Sequence, residues 1–152
     1  MPNYYLVVER VGKGCDVDVN GRLKHWDLPS SWGFKSPKDA LRLRPGDRLV
    51  GYVAPRWGFA LDLEVGEWET RSPLKTVEDG HKEYPFRRKV SVKCEVKERD
   101  LMPKWKNLWP KLNWCRGMSA KRAALTLRPP LLSIDKDDYE LIAGAVCRAA
   151  NP

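Results

Sequence analysis

Tryptophan and the basic residues are the side chains of this sequence with most to offer a ligand. Seven tryptophans occur in 152 residues. Each buried indole N–H needs a partner, so a core rarely uses so many. Lysine and arginine number 28 against 20 aspartates and glutamates, a net of +8. The excess is concentrated. Between Lys82 and Arg128 lie 14 basic and four acidic residues, a net of +10, while the rest of the chain carries 14 against 16. A basic concentration of this kind points to a polyanion, although a solvated cationic surface has the same composition. Aromatic rings beside cations suit nucleic acid: rings stack on bases and cations hold phosphates.

The patterns that other chemistries need are missing. No G-x-S-x-G marks a nucleophile elbow. Neither G-x-x-x-x-G-K-[ST] nor G-x-G-x-x-G marks a phosphate-cradling loop. His25 and His81 fall in polar, loop-like segments. Cys15, Cys94, Cys115 and Cys147 lack zinc-site spacing and read as small core residues in a reducing compartment. Asp135, Asp137 and Asp138 could suggest Mg²⁺, but a helix N-terminus accounts for them better. The expectation is no catalytic residue, no metal and no cofactor. Apolar runs such as Tyr4 to Val8 fall far short of the roughly 20 residues that span a bilayer. No basic stretch followed by an apolar run marks a signal peptide. The expected location is the cytoplasm, with no membrane partner.

The elements that must position these residues can be read in outline. Tyr4 to Val8 reads as an opening strand and residues 12 to 31 as loop. Ser36 and Pro37 suit the start of a short helix running to Leu43. Pro45-Gly46-Asp47 makes a tight turn into a strand from Arg48 to Val53, and Phe59 to Val65 returns as its partner. Val90, Val92, Cys94 and Val96 alternate with Lys89, Ser91, Lys93 and Glu95 on a third strand from about Phe86. A short helix is expected from Asp100 to Leu112. A longer one is expected from Ile134 to Arg148, capped by Ser133, with Leu141, Ile142, Ala145 and Val146 as its buried stripe. This order reads as a single α+β domain over residues 1–152 with a strongly curved, barrel-like sheet.

Several of these pieces together resemble the EVE domain family, a branch of the PUA-like superfamily related to YTH domains. They are the Tyr4-Tyr5-Leu6 strand, the Trp32-Gly33 step before a short helix, and Pro45-Gly46-Asp47 followed by Leu49-Val50 and Tyr52. Glu64-Val65, Tyr84-Pro85-Phe86-Arg87-Arg88-Lys89-Val90 and Asp138-Tyr139-Glu140-Leu141-Ile142 follow in order. The match runs from Tyr4 to Val146. The resemblance implies a PUA-like curved β-barrel flanked by short helices, with a pocket that takes one flipped-out modified base. Two places depart from the family. Trp-Gly-Phe-Lys-Ser stands at residues 32–36 where many members have W-x-G-V-R-N, and Ala54-Pro55-Arg56 stands where many have a Ser-Asn pair.

On that footing the base-binding candidates are Trp32, Gly33, Tyr52, Trp57, Asp62 and Trp114. Trp32 comes first, as a cage wall in a loop; its alternative is a core indole pinning the short helix. Trp57 reads equally as a second wall or as hairpin packing. Asp62 either faces solvent or lines a polar pocket. Trp26 and Trp68 read as packing. Trp105 and Trp109, four apart, read as core at helical spacing. Lys35, Arg56, Arg87, Arg88, Arg116, Lys121 and Arg122 are the phosphate candidates. The expected partner is DNA or RNA with a modified base, with chemistry left to a separate nuclease or processing partner. Two other readings stay open: an ASCH-like enzyme acting on a nucleoside or RNA, and a protein-interaction module.

Overall fold

A computed structural model of the protein describes residues 2–10, 31–34, 37–54, 56–68 and 86–151; at 10, 31, 33, 86 and 87 it describes the backbone only. Its elements are β1 (Tyr4–Arg10), β2 (Ser31–Phe34), α1 (Pro37–Arg42), β3 (Arg48–Ala54), β4 (Gly58–Trp68), β5 (Phe86–Glu95), α2 (Trp105–Leu108), α3 (Ala120–Leu125), β6 (Leu131–Ile134) and α4 (Lys136–Ala150). Short 3-10 turns at Arg99–Leu101, Trp109–Lys111 and Asn113–Cys115 fill the chain around α2.

The strands form a six-stranded sheet in the order β2-β5-β4-β3-β1-β6. β1 and β3 are parallel; every other neighbouring pair is antiparallel. The architecture is α+β, but the described strands make an open sheet, not the closed barrel expected. Its edges are β2 and β6, each four residues long, and no pairing between them is present among the described residues. α4 packs across β1, β3, β4 and β5. Ile142, Ala143 and Val146 are its buried face.

The Pro45-Gly46-Asp47 turn is locked by its aspartate. The buried Asp47 carboxylate accepts from the N–H of Asn3 and of Arg44, both at 2.9 Å, so one side chain ties the turn to the start of β1. Gly46 takes φ +92°, which a side chain rarely allows. At the other end of β3 the register slips between Gly51 and Tyr52: Gly51 faces Leu61 and Tyr52 faces Phe59, leaving Ala60 as the extra residue. Such a bulge re-aims the side chains beside it.

The helix expected from Asp100 to Leu112 is broken by its prolines. Met102, ahead of Pro103, is extended at ψ 132°, as the residue before proline prefers. Pro110 opens a 3-10 turn and Leu112 is again extended at ψ 135°. The last helix starts later than expected. Ser133 belongs to β6, and Asp135 is the cap, accepting from the N–H of Asp138 at 2.7 Å. β6 and α3, the latter capped by Ser119, have no counterpart in the sequence reading. Most of the expected loop from 12 to 31 lies outside the described residues; Ser31 opens β2.

Candidate functional site

Where β3 ends, the chain turns through Trp57 and Gly58 into β4, and this turn docks on residues 102–104. Phe59 N–H donates to the Pro103 carbonyl at 2.9 Å. The Lys104 ammonium donates to the carbonyls of Trp57 at 2.6 Å and Arg99 at 2.7 Å. Gly58 makes the approach possible. It takes φ +134°, and a Cβ there would stand 2.6 Å from the Pro103 oxygen and 2.7 Å from the Met102 Cβ.

This junction forms one side of a cavity of about 580 Å³. The β3 end supplies Tyr52, Ala54 and Arg56; the segment into α2 supplies Lys104, Trp105 and Lys106; α3 and the residues after it supply Ala124, Leu127 and Arg128. The size falls within the roughly 300–1,000 Å³ of small-molecule sites. Among the described lining residues four are basic and none is acidic.

The aromatic lining is braced from behind. Tyr52 meets Phe59 edge-on at 4.9 Å and Trp105 at 6.2 Å. Trp105 lies 6.3 Å from the Trp114 ring. Trp114 is in turn fixed by its indole N–H, which donates to the Thr126 hydroxyl at 3.0 Å. Burial pushes the Tyr52 hydroxyl above its ordinary value, and the nearby Arg56 charge pulls against that. Burial, with the Arg99 charge next, lowers the Lys104 ammonium, and Asp100 opposes both. At neutral pH the Tyr52 phenol is therefore un-ionised.

Of the residues singled out from sequence, Tyr52 and Arg56 line this cavity, and Trp114 braces it. Trp32 does not. It lies in strand β2 rather than in a loop, opposite Arg88, and is buried in the hydrophobic core with Phe34. Gly33 is paired within the same strand, with Arg87 as its register partner. Trp57 is buried in the β3–β4 turn with the Arg99 guanidinium 5.1 Å above its ring, so it packs the hairpin. Arg88 is a core residue, 3% exposed. Its guanidinium donates to the carbonyls of Leu43 at 2.6 Å, Gly66 at 2.8 Å and Ala40 at 3.4 Å, and stacks on Trp68 at 4.8 Å. It ties the end of α1 and the β4 strand to β5 and is not displayed to phosphate. Arg116, Lys121 and Arg122 are exposed; Arg116 donates to the Asn113 side chain at 3.0 Å. Lys35 and the Arg87 side chain lie outside the described residues.

Asp62 is also placed elsewhere. It is buried on β4 beneath α4, where both its oxygens lie 3.1 Å from Arg48 and one accepts from the Tyr139 hydroxyl at 2.6 Å. Burial and this bond raise the Tyr139 phenol. Beside them Cys94 and Cys147, expected as separate core thiols, are joined in a disulfide. Asp62, Cys94 and Cys147 together have the donor types of a metal site. They do not fit one: the sulfurs are bonded to each other, and the carboxylate is taken by Arg48 and Tyr139.

Sequence reasoning missed Lys104, Trp105, Lys106, Ala124, Leu127 and Arg128. Lys104-Trp105-Lys106 is itself an aromatic residue between two cations, the signal sought elsewhere in the chain. The four-residue spacing of Trp105 and Trp109 gave it a helical-core reading instead.

No family model matches the chain, and no curated protein matches it. Solved structures do. Rpa0253 from Rhodopseudomonas palustris, determined by NMR, aligns over 95% of this chain and 92% of its own with a TM-score of 0.53 at 13% identity. A hypothetical protein from Leishmania major aligns over 95% of this chain and 94% of its own with a TM-score of 0.52 at 15% identity. At these identities the likeness is one of fold.

Proposed function

We propose that this chain is a nucleic-acid-binding module of the EVE type, with a PUA-like fold, that takes a single flipped-out modified base into the cavity between β3 and the helical segment. The observation that carries the reading is the cavity lining: Tyr52 and Trp105 with Arg56, Lys104, Lys106 and Arg128, and no carboxylate among the described lining residues. Extruding a base costs a few kcal/mol. Stacking returns about 1–3 kcal/mol per base. A methyl or similar group on the base adds apolar contact at roughly 25 cal/mol/Å². The cations at the rim meet the phosphates on either side, which gives grip without sequence reading.

The reading is of a binder and not an enzyme. A nucleophilic or acid–base step on the ligand needs a positioned base, and the described lining holds no histidine, cysteine or carboxylate to serve as one. Chemistry on the bound strand is then the work of a separate nuclease or processing partner.

A panel of oligonucleotides, each carrying one modified base, titrated at fixed salt, tests the proposal. One modification should bind more tightly than its unmodified parent, and Trp105→Ala should erase that difference. Equal binding across the panel, or discrimination that survives Trp105→Ala, would remove the cavity from the reading.

A further inference from the structure

The Cys94–Cys147 disulfide lies away from the cavity, yet the stretch of chain it closes contains most of the cavity's wall. Cys94 stands near the end of β5 and Cys147 in the last turns of α4, with Cα atoms 5.2 Å apart across 53 sequence positions. Trp105, Leu127 and Arg128 all fall inside that loop, with Lys104, Lys106 and Ala124. Between β5 and β6 the loop has only short pieces, of which α3 at six residues is the longest. Isolated helices shorter than roughly 12–15 residues are marginal in water. The wall is therefore held by what it docks against, and α4 is one such support. The buried Asp138, in the first turn of α4, accepts from the N–H of Asn113 at 2.7 Å and of Trp114 at 3.2 Å. The Trp114 ring braces Trp105 at 6.3 Å. α4 thus links the disulfide in its last turn to Asp138 in its first, and Asp138 holds the Trp114 backbone behind the cavity.

We propose that the Cys94–Cys147 bond is a thiol-reversible lock that fixes α4, and through it the helical wall of the cavity, on the sheet. The proposal does not depend on base binding. Both cysteines are only partly buried, so a small thiol can reach the bond. A dithiol reductant supplies the electrons. One of its thiolates attacks a disulfide sulfur, forming a mixed disulfide and expelling the other cysteine as thiolate; its second thiol then displaces the first cysteine. Two electrons and two protons pass to the protein, leaving Cys94 and Cys147 as thiols and the reductant as a disulfide. A partner for the new thiol is already in place, because Cys147 Sγ lies 3.9 Å from Asp62 Oδ2. Asp62 also remains tied to Tyr139 of α4. Reduction should thus loosen the wall while leaving the sheet folded.

The full chain, oxidised and then reduced with dithiothreitol, gives the test. Peptide mapping with free thiols blocked should find the Cys94 and Cys147 peptides linked, and separate after reduction. The Tm should drop by roughly 4–16 °C on reduction, from the usual stabilisation by a disulfide in a chain of this size. Amide exchange should quicken several-fold across residues 105–127 while β3 and β4 stay protected. A chain carrying both Cys94→Ser and Cys147→Ser should melt near the reduced protein and no longer respond to dithiothreitol. Finding both cysteines alkylated in the oxidised protein overturns the proposal. So does a doubly substituted chain that still responds to reductant, or faster exchange spread evenly over the sheet. Where the serine variants do not fold, the peptide map and the exchange pattern of the unaltered chain decide.

Discussion

Trp105→Ala removes an aromatic face from the cavity while leaving the sheet intact. Losing one stacking surface is expected to cost about 1–3 kcal/mol, roughly five- to 150-fold in oligonucleotide affinity. Trp32→Ala should behave in the opposite way. Its indole is buried in the core on β2, so truncation should cost about 3–5 kcal/mol of stability and leave relative affinities unchanged. Urea denaturation beside a binding titration separates the two, and a stable Trp32→Ala protein with lost discrimination would return the site to β2. The arginines divide similarly. Arg88→Met leaves the Leu43 and Gly66 carbonyls without their donors and should destabilise by about 1–3 kcal/mol for each unsatisfied group. Arg56 is exposed at the cavity rim. Arg56→Gln should keep the stability and reduce the slope of log affinity against log salt by about 0.7–0.9. Equal slopes before and after would exclude Arg56 from phosphate contact.

At the scale of elements, α4 organises both the sheet's covered face and the turn behind the cavity. Tyr139→Phe removes one donor to Asp62 and should cost about 1–3 kcal/mol, because a buried carboxylate oxygen loses one of its bonds. Asp138 gives a pH signature. Burial raises its carboxyl above the ordinary 3.8, the N–H groups of Asn113 and Trp114 pull it back, and Asp135 and Asp137 add to the rise. The fold therefore holds this proton more tightly than the unfolded chain does. Stability owed to it is full below the unfolded value and declines as pH rises through the folded value. Relative to Asp138→Asn, the unaltered protein should lose stability upward from about pH 4 and then level off once the carboxyl is ionised in the fold. Urea midpoints of both proteins across that range measure it; a constant difference would show that Asp138 does not titrate as its burial demands.

For the whole molecule, charge sets the expected binding behaviour. The net is +8, and the stretch from Lys82 to Arg128 contributes Lys104, Lys106 and Arg128 to the cavity. Affinity for any oligonucleotide should fall steeply with added salt, through release of counterions from each neutralised phosphate. Titrations at several salt concentrations read the slope directly. A flat response would favour a protein partner over a nucleic acid. No helix among the described residues is long and apolar enough to cross a membrane.

The sequence by itself determined the local elements whose signals are local. Alternation in β5, the Pro-Gly-Asp turn and the apolar stripe of α4 are all written within a few residues of one another; the first two lie close to where they are expected, while the buried face of α4 is rotated, with Tyr139, Ile142, Ala143 and Val146 buried and Leu141 and Ala145 only half-buried. The prolines at 103 and 110 also stand in the sequence, yet the helix expected from Asp100 to Leu112 ran through both, although proline restricts its own φ and the residue before it. What the tertiary structure decided is which charged and aromatic groups face a ligand. Arg88 and Arg56 carry the same guanidinium, but Arg88 is enclosed by three backbone carbonyls and Arg56 stands at a cavity rim. Trp32 and Trp105 carry the same indole, but a register within a sheet buries one and a docked turn lines a cavity with the other. Nor did spacing foretell that Cys94 and Cys147 meet, since 53 positions separate them and only the packing of α4 on β5 brings them together. Exposure is set by contacts between residues distant in the chain, and no local pattern encodes those.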